Sequence, residues 1–278
     1  MTYHQLGMIA EELREFANAE QWYRKALAIK QKLGDEHGAA STYHQLGIVA
    51  QEEREFAAAE QWYRKAIAIE EKFGDEHGAA TTYHHLGMIA AEQRDFTAAE
   101  QWYRKALAIK EKLGDEHGTA STYHQLGMVA QKQGDFETAG QWYRKSIAIE
   151  EKSGDEHGAA TSYHQLGTLA QEQGDFAAAE QWCRKSLAIE EKQGNEHGAA
   201  ISYMALGSLE RLQKKYVASG AWLTKAAVVF LALKDLHLAR QTSHNFMLSY
   251  RNAAPGDQQK LKAMWREAGL GELPSEAA

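Results

Sequence analysis

Across its 278 residues the chain sets 31 lysines and arginines against 38 aspartates and glutamates, a formal net charge of -7. That balance excludes a general nucleic-acid binder, which needs a basic stripe to displace counterions from phosphates. No apolar run approaches the ~20 residues that span a bilayer, no charged-then-apolar leader opens the chain, and Cys183 is its one cysteine, so no membrane partner and a reducing, cytoplasmic setting are expected.

From its first residues the chain repeats every 40 positions. The segment Tyr3-His4-Gln5-Leu6-Gly7 opens a pattern that returns at Tyr43, Tyr83, Tyr123 and Tyr163 and, weakened, at Tyr203. A period in this range marks stacked helical units rather than one globular core. The units run 1–40, 41–80, 81–120, 121–160, 161–200 and 201–240. Each resolves into two helices. In the second, Tyr43, Leu46, Gly47 and Ala50 fall at helical spacing on a first helix, and Phe56, Ala59, Tyr63, Ala66 and Ile67 do so on a second. The turn between them reads Gly134-Asp135-Phe136 and Gly174-Asp175-Phe176 in later copies, a left-handed stop followed by a cap. The joint Gly74-Asp75-Glu76-His77-Gly78 uses the same chemistry, and joints this tight make neighbouring helices antiparallel.

Gly47 lies inside a helix, where glycine costs about 1 kcal/mol relative to alanine, so a facing helix is expected close by, with Ala59 its counterpart. Phe56, Ala59 and Tyr63 are expected against their own first helix, and Trp62 and Ile69 against the following unit. The tryptophans at Trp22, Trp62, Trp102, Trp142, Trp182 and Trp222 read as core rather than as a stacking ladder for a ligand. Arg64 and Lys65, with Glu60, Glu70 and Glu71 beside them, read as a solvated face laced with i,i+4 pairs. Cys183, standing where other copies carry Tyr23, Tyr63, Tyr103 and Tyr143, reads as a packing substitution. After Tyr203 the pattern erodes. Residues 241–278 are expected to be capping helices and a tail, one helical from Asp235 to about Arg251 and the last opened by Pro255 and running through Ala268 with Leu261, Met264 and Trp265. At the other end no capping unit shields the array, and end-to-end self-association is expected there.

Tyr43-x-x-Leu46-Gly47 and Ala59-x-x-x-Tyr63, repeated over residues 1 to about 240, resemble the tetratricopeptide repeat family. The 40-residue, Gly-Asp-punctuated form is similar to the arrays of LGN/Pins adaptors and kinesin light chain and to bacterial signalling arrays. Two departures stand out: Ala50 replaces a tyrosine late in the first helix, and Glu71 replaces the usual proline. The resemblance implies an all-α fold, a right-handed superhelical solenoid of antiparallel helix pairs made of six repeats plus C-terminal capping helices. It also implies a protein-protein interaction scaffold that holds a peptide or helical segment of a partner in a concave groove lined by first helices.

By position that surface takes Ser41, His44, Ile48, Gln51 and Glu52 of the second unit, which lie off the Tyr43-Leu46-Gly47-Ala50 stripe. The same register gives His4, His44, His84, His124 and His164 as one ladder. Gln51, Gln131 and Gln171, with Glu11, form another, interrupted by Ala91. Met8, Ile48, Met88 and Met128 form an adaptable apolar strip, with Glu52 and Glu92 at its edge. With thirteen histidines, acidification below about pH 6.5 is expected to charge the protein progressively. A first alternative makes the chain the sensor or assembly arm of a larger bacterial signalling protein, and a second a scaffold that self-associates through its ends. No metal, cofactor or catalysis is expected: there is no phosphate loop, no His-Glu-x-x-His and no serine elbow, and copies spread along a rod do not converge on one reacting atom.

Overall fold

A computed structural model describes residues 2–273. These form fourteen helices with no strand among them: α1 Tyr3–Glu12, α2 Phe16–Leu33, α3 Glu36–Glu52, α4 Phe56–Phe73, α5 Glu76–Glu92, α6 Phe96–Leu113, α7 Glu116–Lys132, α8 Phe136–Ser153, α9 Glu156–Glu172, α10 Phe176–Gln193, α11 Glu196–Leu212, α12 Tyr216–Ala232, α13 Leu236–Asn252 and α14 Pro255–Glu267. First helices thus open at Glu36, Glu76 and Glu116, inside the preceding 40-residue unit. The cause is local: Gly74 ends α4 at φ +69°, a left-handed conformation that glycine adopts without strain, and the Asp75 carboxylate then accepts from the Gly78 amide at 2.9 Å to cap α5. At the other turn Arg54 and Arg94 take the left-handed position (φ 62° and 61°) that Gly134 and Gly174 occupy in later copies.

Two compact units divide within α8, one ending at Trp142 and the other starting at Tyr143. Within each, a first helix packs most extensively on the second helix of its own hairpin and each second helix on the next first helix. The all-α array of antiparallel helix pairs is therefore present in both. In the first unit, Ala50, Ala59, Tyr63, Tyr83, Leu86, Ile89 and Ala106 make one buried cluster, which binds a hairpin to its successor. In the second, Leu223, Phe246, Leu261 and Trp265 form the terminal cluster. There α14 lies on α12, with Phe246 and Trp265 rings 4.5 Å apart.

The structure revises several packing expectations. The counterpart of Gly47 is Tyr63, not Ala59: a Cβ on Gly47 would lie 2.5 Å from the Tyr63 ring. Cys183 fills the same place against Gly167 and is buried, and burial pushes its thiol up to about 11, which leaves it an inert packing group. Trp62 stacks on Tyr43 of its own first helix at 5.8 Å and receives Arg24 of the preceding second helix at 5.2 Å. Ile69 joins the cluster of Tyr23, Leu27, Leu46 and Val49 rather than the following unit. Glu60 does pair with Arg64, at 2.7 Å. Glu70, however, is 5% exposed and is no part of a solvated face. It accepts from the Thr82 hydroxyl at 3.1 Å, and burial above all pushes its carboxyl up to about 7. The equivalent Lys30 and Lys110 donate to Thr42 and Thr122 at 2.8 and 3.0 Å.

Candidate partner-binding groove

Because Leu46, Val49 and Ala50 turn α3 toward the core, His44, Ile48 and Gln51 fall on its flank, half-buried, with Glu52 exposed. His44 does not project freely. Its Nδ1 lies 2.9 Å from the Thr82 hydroxyl of the next first helix, and its ring is 5.3 Å from Tyr63 and edge-on to His85 at 5.1 Å. His84 repeats this against Thr122 at 3.5 Å and Tyr103 at 5.2 Å. Burial first, with His85 second for His44 and Lys110 second for His84, holds His44 at about 4 and His84 at about 3. Burial also lowers His4, His124 and His164. The expected progressive charging near pH 6.5 therefore fails for the ladder, because the charged ring would sit in a seam with little water. His85, which sequence reasoning passed over, belongs to the same seam and is held at about 4. Its signal was its place among copies that read Gln45, Gln125 and Gln165.

The glutamine positions sit above the buried tyrosines. Tyr23 donates to Glu11 at 2.7 Å, and Tyr63 donates to Gln51 at 3.0 Å. Gln131 and Gln171 are half-buried, and in the hairpin of Gln171 the tyrosine is replaced by Cys183, which offers no hydroxyl. Glu52 and Glu92 are exposed at the rim and meet Arg14 and Arg54 at 3.9 and 3.8 Å. Met8 is exposed at 43% in α1, while Met88 and Met128 are half-buried.

Within the first unit the structure brings three of the expected residues together. Met88 and Glu92 of α5 and Met128 of α7 line an open groove of about 590 Å³, floored by Phe96 and Tyr103 of α6. Ala91, Arg94, Gln125, Val129 and Lys132 complete it. The basic pair here was missed, although it had a signal: Lys132 stands where other copies read Glu12, Glu52, Glu92 and Glu172.

The helix pairs, their glycine and aspartate joints and the first-helix groove can now be set beside known proteins. A tetratricopeptide repeat model matches residues 1–72, 40–112, 78–152, 118–192 and 158–227. The chain belongs to the tetratricopeptide repeat family. No curated protein matches it in sequence. Among solved structures, apo RapI is 16% identical over 90% of this chain and 97% of that one, with a TM-score of 0.69. The Pyrococcus horikoshii signal transduction ATPase with a tetratricopeptide repeat sensor is 19% identical over 93% of this chain and 38% of its own, with a TM-score of 0.72. The nearly identical TPR-like repeats of a Podosopora anserina kinesin light chain give 20% identity over 69% and 95%, with a TM-score of 0.61. At these identities the likeness establishes the repeat fold. Among the described residues of this tetratricopeptide array, no helix is long and apolar enough to cross a membrane, and no cluster of three His, Cys, Asp or Glu is arranged to hold a metal.

Proposed function

We propose that this chain is a protein-interaction scaffold that holds a linear or helical segment of a partner against its first helices. The observation that carries this reading is the groove between α5 and α7. Met88 and Met128, half-buried and conformationally adaptable, lie beside polar groups that can meet a peptide backbone. The histidines His4, His44, His84 and His124 of the first unit enter as its wall, neutral at physiological pH, with His44 and His84 engaged by the neighbouring repeat. Gln51, Gln131, Ile48, Met8 and Glu52 extend the surface by register, and His164 and Gln171 hold the same register within the second unit. Randomised nine-residue peptides passed over immobilised protein test the reading. Met88→Lys with Met128→Lys should abolish retention, while Gln101→Lys on the exposed side of α6 should leave it unchanged. Equal retention by both variants refutes the groove.

A second reading makes the array the sensor of a larger signalling protein. The Pyrococcus horikoshii ATPase favours it, since 93% of this chain matches 38% of that one. An in-frame catalytic domain in the complete gene would decide for it. Self-association through the N-terminal repeat is supported by exposed Tyr3 of α1 and Ile29 and Leu33 of α2. It requires that sedimentation show concentration-dependent mass, reduced by Leu33→Lys.

A further inference from the structure

The copies disagree at one place in the groove, and the disagreement has a chemical direction. In the first two hairpins the buried tyrosine hydroxyl donates to a side chain one turn above it, Tyr23 to the Glu11 carboxylate at 2.7 Å and Tyr63 to the Gln51 amide oxygen at 3.0 Å. In the third the equivalent acceptor is replaced by Ala91. The Tyr103 ring is fully buried and its hydroxyl has no hydrogen-bond partner, and the residue lies directly beneath the open groove beside Ala91. A buried donor left unpaired forfeits its full desolvation cost, so an acceptor delivered there is stabilised by more than an ordinary surface hydrogen bond.

The rim sets the charge of that acceptor. Arg14 faces Glu52 and Arg54 faces Glu92 across a constant register of 38 residues. The same register sets Lys132 opposite Arg94, and both border the groove. Its one carboxylate, Glu92, is met by Arg54. Two cations against one anion leave a positive rim over a hydroxyl donor, with Met88 and Met128 on either side.

We infer that the Ala91 notch receives the side-chain carboxylate of a glutamate from the partner segment. That carboxylate accepts from Tyr103 and is flanked by Arg94 and Lys132, while its methylenes lie on the methionines. It takes the place that Glu11 fills in the first hairpin. This rests on the groove reading above and adds a specificity to it.

The test uses peptide libraries with randomised flanks and a fixed central Glu, Gln or Lys, passed over the intact chain. The Glu-centred library should be retained at least tenfold over the Gln-centred one, about 1.4 kcal/mol. Ala91→Gln rebuilds the contact seen at Gln51 and Tyr63, so it should keep or raise the unfolding midpoint while abolishing the preference. Lys132→Glu should shift the preference toward Lys. Tyr103→Phe should weaken Glu-centred retention alone. Equal retention of the three libraries, or a preference that survives Ala91→Gln, overturns the notch and leaves the groove standing. No retention of any library by the wild-type chain overturns both.

Discussion

Acidification should loosen this array, and the seam histidines set how far. His44, His84 and His85 are held at about 4, 3 and 4 in the fold, whereas an unfolded histidine titrates near 6.5. A folded pKa below the unfolded one means that the unfolded chain binds protons first as pH falls. The stability of these groups is thus full above about pH 6.5 and is lost between there and about 4. At ~1.4 kcal/mol per pH unit, each forfeits about 2 kcal/mol by pH 5, or roughly 6 for the three. Glu70 acts in the opposite direction. Its carboxyl is held near 7 against 4.5, so falling pH relieves a penalty of about 2–3 kcal/mol. Water reaching the joint cuts that to roughly half. The net loss from pH 7.5 to 5 is then about 5 kcal/mol, with His4, His124 and His164 pushing the same way. Urea unfolding followed by circular dichroism at the two pH values measures it. His85→Gln, which restores the residue of the other copies, should recover about 2 kcal/mol at pH 5 and almost nothing at pH 7.5. Stability that stays flat or rises on acidification would refute the neutral seam.

Three substitutions test the packing. Gly47→Ala gains about 1 kcal/mol of helix propensity but places a methyl 2.5 Å from the immobile Tyr63 ring; overpacking of about 1–3 kcal/mol should win, lowering the urea midpoint. Arg54→Gly relieves a left-handed arginine worth about 1–2 kcal/mol, less a weak ion pair and the Phe56 contact, and should raise the thermal midpoint slightly. Gly220→Glu installs the residue of Glu20, Glu60, Glu100 and Glu180 where a Cβ would meet Leu261 at 2.0 Å. Helix α14 should then undock, and limited proteolysis should cut near Arg251 several-fold faster.

The period, the hairpins and the joints were legible because they rest on local rules: a left-handed glycine followed by an aspartate cap needs no knowledge of the rest of the chain. What α4 faces was not, since it carries apolar residues on more than one side. Spacing alone does not say that Trp62 meets Tyr43 and Arg24. Glu70 misled for a related reason. A glutamate beside Glu71 and Lys72 reads as solvated, and only the neighbouring Thr82, one helix on, shows that it is buried. Of the candidate site, Met88, Met128 and Glu92 border one groove, whereas Met8 and Ile48 do not reach it. The histidines turned inward because the register that aligns His44 with His84 also sets each beside the threonine of the next helix.

In an array of near-identical copies, agreement and disagreement carry different information. A residue present in every copy is explained by the contact every hairpin must make, as Tyr63 against Gly47 or Asp75 on Gly78, and says nothing about a partner. A residue that breaks the pattern has lost that explanation. Cys183 and Gly220 recover one from packing, the first against Gly167 and the second beneath Leu261. Ala91 and Lys132 recover none: one strands a buried hydroxyl, the other removes a carboxylate from opposite Arg94, and both changes open on the same groove. Two independent losses of internal satisfaction at one surface are the physical mark of a site satisfied from outside.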